Sequence, residues 1–263
     1  MNKRAEVSLV GKLVFITGAS TGIGAACAEQ FAAAGARLLL AARRENLLRE
    51  KIANLKSSGA PDVHTIALDV RDARQVQSAM DALPEPWRAI DVLINNAGLS
   101  RGLDTVQEGH IEDWEEMIDT NVKGLLYVTR AVAPGMVERG HGHIVNIGST
   151  AGHMTYPKGA VYCATKAAER SITEGLRQDL LGTPLRVTTV DPGMVETDFS
   201  KVRFHGDEAR AEKVYQGLTP LLAEDVADAI LWAVTRPAHV NIAEVLLTSV
   251  DQANSLLFHR RTS

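Results

Sequence analysis

The chain has 263 residues, 45% hydrophobic and 23% charged, enough apolar side chain for a sizeable core without disulfides or metals. Lys plus Arg number 28 against 32 Asp plus Glu, a net charge of −4, which argues against a general nucleic-acid binder. No stretch approaches the roughly 18 apolar residues of a membrane span, and the polar start lacks a signal peptide's apolar centre. Cys27 and Cys163 show neither metal-ligand nor CxxC spacing, so no metal and a reducing cytoplasm are expected.

Short apolar runs lie at 13–17, 37–42, 63–68, 90–94, 143–147, 185–190 and 244–248. Between them, helical patterns occupy about 22–34, 45–58, 72–82, 111–138, 157–181 and 222–235. Near-continuous hydrophobicity over five or six residues marks strands buried on both faces. The alternation predicts an α/β fold of the doubly wound type, a seven-stranded parallel sheet with helices on both faces. No linker, repeat or composition shift divides the chain, so 1–263 is expected to be a single domain. The polar, glycine-broken stretch 193–221 is expected to be a lid.

The first strand runs into Gly18-Ala19-Ser20-Thr21-Gly22-Ile23-Gly24 and then a helix. Glycines there permit a tight turn and close backbone approach, while the helix start offers unpaired N–H groups to a pyrophosphate. The second strand ends in Arg43-Arg44 where dinucleotide folds usually place an acid for the ribose hydroxyls. A guanidinium there suits a 2′-phosphate, which predicts NADP(H) over NAD(H).

The later strand ends agree. Asn95-Asn96-Ala97-Gly98 follows the fourth, Ile147-Gly148-Ser149-Thr150 the fifth and Pro192-Gly193 the sixth. In open α/β sheets, ligands bind outside the carboxyl ends of the strands. Tyr162 and Lys166 stand four apart in a helical pattern and share a face. An ammonium there favours phenolate, so Tyr162 could act as acid for carbonyl reduction or base for alcohol oxidation. Ser149 could hold the substrate oxygen. His141-Gly142-His143 has no third ligand at useful spacing and reads as structural.

In their order and spacing these motifs resemble the short-chain dehydrogenase/reductase family over nearly the whole chain. The resemblance implies a tetrad of Asn121, Ser149, Tyr162 and Lys166. In it, Lys166 also binds the nicotinamide ribose and Asn121 connects it to a water chain. It places Gly18, Thr21, Ile23 and Gly24 at the phosphates, Asp69 and Val70 at adenine, and Asn95 at adenosine. Pro192, Gly193, Val195 and Thr197 would surround the nicotinamide. Thr21 stands where some NADP-dependent members carry a basic residue, which would leave the 2′-phosphate to Arg43 and Arg44 alone.

The second half is similar to the NADP-dependent 3-hydroxy acid dehydrogenase branch, through Glu112-Asp113-Trp114, Gly148–Gly152, Val195–Phe204 and Ala223–Ala227. That branch implies a small anionic substrate such as serine, allo-threonine or 3-hydroxypropionate, and a homotetramer. A cation near the hydride site is then expected. Arg203 in the lid is the first choice, with Arg101, His153 and Lys158 behind it. A broader aldehyde or ketone reductase, including one for sulfonated aldehydes or diketones, remains an alternative. So does a non-catalytic NADP(H)-binding regulator, against which the complete tetrad argues.

Overall fold

The computed structural model describes residues 5–261. Seven strands form one sheet: β1 (Leu13–Thr17), β2 (Arg37–Ala42), β3 (Val63–Ala67), β4 (Val92–Asn95), β5 (Gly142–Ile147), β6 (Leu185–Pro192) and β7 (Glu244–Leu247). Every pairing is parallel, in the order β3-β2-β1-β4-β5-β6-β7. All seven apolar runs are therefore strands, two with the expected ends and the others displaced by one or two residues. The fold is a Rossmann-type α/β sheet.

Helices cover both faces, which is why the central strands carry apolar side chains on both. α1 (Gly22–Ala33) follows β1, α2 (Glu45–Arg49) and α3 (Ile52–Ser57) follow β2, and α4 (Ala73–Asp81) follows β3. α5 (Ile111–Ile118) and α6 (Leu125–Arg139) precede β5, and α7 (Ala160–Asp179) precedes β6. α8 (Phe199–Arg203), α9 (Glu208–Tyr215) and α10 (Ala223–Thr235) separate β6 from β7. Val14 and Ile16 of β1 join Phe31, Val226 and Ile230 under α1 and α10. Leu13 and Phe15 point the other way, to Leu93, Val128 and Met136 beneath α6.

Two expected helices are interrupted. The stretch 45–58 divides because Lys51 N donates to Leu48 O, a tightened three-residue turn, at 3.1 Å. The stretch 111–138 carries a π-helical turn, Asp119–Gly124, between α5 and α6. There Val70 Cγ2 lies 2.6 Å from where a β-carbon on Gly124 would stand, so the turn passes this strand end without a side chain.

Strand order reverses between β1 and β4, the crevice where such sheets bind ligands. Asn96 ties the two strand ends together at its base: its amide donates to the carbonyls of Thr17 and Gly18 at 3.0 and 3.1 Å. Its backbone N–H donates to Thr17 Oγ1. Segment 193–221 rises over this edge carrying α8 and α9. Its ends are tied by Glu196 N to Leu221 O, 2.8 Å, and Leu221 N to Met194 O, 3.0 Å.

Candidate active site

The turn after β1 requires its glycines. Gly18 and Gly22 sit at φ +65° and +55°, the left-handed region that side chains disfavour. A β-carbon on Gly22 would also press on Thr197 Cγ2 at 3.3 Å. Thr21 precedes α1 without a side-chain capping bond, and the first turn holds no acid. The opening N–H groups and the positive dipole end are thus left to an outside anion. Gly18, Thr21 and Ile23 line the cleft. Gly24 is buried beneath the turn, where a β-carbon would collide with the Asn96 amide and the Gly18 carbonyl.

Arg43 and Arg44 are exposed and line the cleft at the end of β2, as Asp69, Val70 and Arg71 do after β3. Arg71 widens the basic set expected from the sequence. Its Nη2 reaches Asp69 Oδ2 at 2.6 Å, and this bond holds the Asp69 carboxyl below the usual carboxylate range. Glu116 on α5 gathers three guanidinium groups: Arg101 at 2.6 Å, Arg71 at 3.4 Å and Arg43 at 3.5 Å. Burial opposes its ionisation, but the Arg101 bond and the three charges outweigh burial and lower its pKa. Uncapped helix start, left-handed glycines and exposed arginines fit a dinucleotide with an extra phosphate.

Asn95 requires a correction. Its side chain is buried and donates to Thr129 Oγ1 and Asn146 Oδ1, both at 2.9 Å, on the α6 side of the sheet. Side chains alternate across a strand, so Asn95 shares the face of Leu93, and Asn96 is the residue on the cleft.

At the other end of the cleft Ser149, Tyr162 and Lys166 come together with Pro192, Gly193, Val195 and Thr197. Ser149 Oγ accepts from Ala151 N at 3.1 Å, which fixes the oxygen and leaves its proton to donate. Tyr162 is buried, edge-on to Phe199 with ring centres 5.7 Å apart. Lys166 Nζ donates to Ile147 O and Glu169 Oε2, each at 2.7 Å, leaving one of its three N–H groups. Glu169 is 2% exposed, and the sequence reading passed over it. Burial pushes its carboxyl up to about 7 against the pull of Lys166. Desolvation opposes the Lys166 charge, but the Glu169 charge and hydrogen bond, with Tyr162 and Asp191, together outweigh it and raise the lysine pKa.

Asn121 lies in the π-helical turn, not in regular helix. Its Oδ1 accepts from Leu99 N at 2.9 Å, and its amide donates to Leu99 O and Thr165 Oγ1 at 2.8 and 3.0 Å. It therefore braces the strand-end loop against α7 and makes no direct bond to Lys166.

Arg203, at the end of α8, reaches back over the site. Its Cζ stands 5.3 Å from the Tyr162 ring centre and 5.2 Å from that of Phe199. Nε donates to Ser100 Oγ at 3.1 Å and Nη2 to Tyr156 Oη at 3.0 Å. Arg203 forms no ion pair among the described residues. Two of the other candidates are engaged elsewhere, and the third is exposed. Arg101 holds Glu116 and the carbonyl of Val202. His153 Nε2 bonds Asp191 Oδ2 at 2.6 Å, and Lys158 is exposed at φ +64°. His153, Asp191 and Glu244 place ligand atoms within 4.8 Å of one another, but Arg170 already occupies the Glu244 carboxylate at 3.2 Å. His143 is buried against Thr188 Oγ1 at 2.7 Å, and desolvation drives its pKa well down.

This glycine turn, and this Ser, Tyr and Lys on one wall, define a nucleotide-linked dehydrogenase site. The short-chain dehydrogenase family model matches residues 12–208, and the chain belongs to that family. It is 48% identical over 242 residues to an NADP-dependent 3-hydroxy acid dehydrogenase of Salmonella typhi, covering 92% of this chain and 96% of the relative. A sulfoacetaldehyde reductase of Chromohalobacter salexigens is also 48% identical, over 92% of this chain and 95% of the relative. A closed serine dehydrogenase complexed with NADP+ superposes with a TM-score of 0.89 at 45% identity, covering 95% of this chain and 100% of that one.

Proposed function

We propose that this chain is an NADP-dependent oxidoreductase that moves a hydride between the nicotinamide and a small 3-hydroxy acid or its semialdehyde. The observation that carries the reading is the Arg203 guanidinium, without an ion pair among the described residues, 5.3 Å from the ring centre of Tyr162, which lines the cleft with Ser149 and Lys166. When bound, the cofactor supplies or accepts the hydride.

Gly18, Thr21, Ile23 and the start of α1 hold its phosphates, and Arg43 and Arg44, with Arg71 beside them, take the 2′-phosphate. In oxidation, Tyr162 Oη takes the proton of the substrate hydroxyl while Ser149 Oγ–H bonds the same oxygen. In reduction the same proton returns to the carbonyl oxygen. Lys166 stabilises the phenolate between these events. Its remaining N–H serves the nicotinamide ribose, and Asn121 holds the loop and α7 in register.

The carboxylate of the substrate is assigned to Arg203. Ser100 and Tyr156 orient the guanidinium, leaving Nη1 without a partner among the described residues. A sulfonate would meet the same group, so sulfoacetaldehyde is the second substrate reading, favoured by the 48% identical reductase. Residues 193–221 serve as the substrate lid of a single cytoplasmic domain. The exposed apolar side chains Leu246, Val250, Leu256 and Leu257 suit a homotetramer. No helix among the described residues is long and apolar enough to cross a membrane.

Arg203→Met tests the substrate class. Losing charge-assisted bonds to a carboxylate should lower kcat/KM for 3-hydroxypropionate by about 10²–10³ and leave a neutral aldehyde within about threefold. Equal losses on both substrates would remove Arg203 from the anion site.

A further inference from the structure

We infer that Glu169 is a positioning residue for Lys166 that sets the pH at which Tyr162 exchanges its proton, an inference resting on the oxidoreductase reading above. Tyr162, Lys166 and Glu169 stand at i, i+4 and i+7 on α7, one stripe of one face. Glu169 Oε2 accepts from the Lys166 ammonium at 2.7 Å. Its second oxygen, Oε1, is buried and has no partner among the described residues. A buried carboxylate oxygen without a donor disfavours the charged form, and the raised carboxyl pKa agrees.

The groups around it define two states. On α7, Lys166 and then Tyr162 are the ionisable neighbours. From β6 comes Asp191, which is bonded to His153 of the turn after β5, with Glu244 of β7 and Arg170 beyond. From β5 come the Ile147 carbonyl on Lys166 and the neutral Asn146, bonded to Thr173, whose hydroxyl donates to the Glu169 carbonyl. With Glu169 protonated, the lysine stands as a full cation behind Tyr162 and favours phenolate. With Glu169 ionised, the pair is neutral and the phenolate loses that support. The two ionisations therefore oppose each other through the Lys166 ammonium.

Seven residues of helix separate Glu169 from Tyr162 by about 10 Å, and a unit charge there at an effective dielectric of ~20 shifts a pKa by about one unit. Glu169→Gln removes the charge and keeps the shape. The phenolate absorbance of the enzyme without cofactor, titrated against Tyr162→Phe as blank, should move down by about one unit in E169Q. The pH profile of kcat/KM for 3-hydroxy acid oxidation should move with it. Glu169→Asp, which keeps the charge, should retain the wild-type midpoint. If E169Q does not fold, Glu169→Met carries the same test with an apolar side chain. A phenolate titration unchanged in the neutral variants overturns the inference, since a merely structural glutamate would lower Tm and leave the midpoint in place. Because that titration needs neither substrate nor cofactor, absent turnover with a shifted midpoint would count against the oxidoreductase reading alone.

Discussion

Arg43→Ala addresses cofactor choice most directly. The Arg43 side chain is 53% exposed, and its one ion pair among the described residues, with Glu116 at 3.5 Å, is long and shared with Arg71 and Arg101. The guanidinium is therefore loosely held and available to a phosphate dianion. A hydrogen bond to a charged group contributes about 1.5–3 kcal/mol, and solvent screening at this exposure favours the lower figure. With Arg44 and Arg71 left in place, kcat/KM for NADP should fall about 10- to 30-fold. NAD lacks the 2′-phosphate, so its kcat/KM should change less than about threefold. Initial rates with both cofactors, at low and at physiological salt, measure the ratio, and added salt should narrow it. An unchanged ratio of NADP to NAD efficiency would refute the assignment of Arg43 to the phosphate. So would a loss of equal size with both cofactors, which would point to damage at the end of β2.

Two further outcomes follow from the buried groups and the exposed ones. Glu169 binds its proton more tightly folded than unfolded, so its contribution is complete below the ordinary value of 4.5 and is lost as pH rises to about 7. That loss amounts to about 3 kcal/mol at most. His143 runs the opposite way, because its lowered pKa contributes stability above the ordinary 6.5 that fades as pH falls below it. Urea unfolding of wild type and E169Q between pH 5 and 8 should give a stability difference that grows toward acid; a flat difference would show Glu169 ionised throughout. Sedimentation at micromolar concentration should give a tetramer that Val250→Glu with Leu257→Glu weakens, and a wild-type monomer would contradict the subunit contact.

What the sequence revealed follows from where each group's partners lie. Strands buried on both faces carry the apolar run within themselves, so β1 to β7 were legible to within two residues, as were Gly18 and Gly22, whose backbone is set by the turn they make. The same double burial hid the difference between Asn95 and Asn96: with apolar residues on both faces, alternation shows that the two point apart but not which one meets the cleft. Asn121 fell in a stretch read as continuous helix, and a π-helical turn changes the rotation per residue, so periodicity could not place its side chain. Glu116 and Arg71 became visible only through contacts across 45 residues of chain. Glu169 is different, because its signal was local. In Tyr162-Cys163-Ala164-Thr165-Lys166-Ala167-Ala168-Glu169 the acid sits three residues after the lysine, on the stripe that must face the sheet if the tyrosine and lysine do. A carboxylate placed there by helical geometry cannot reach solvent without turning the catalytic face outward, so its burial beside Lys166 follows from the same spacing that identified the pair.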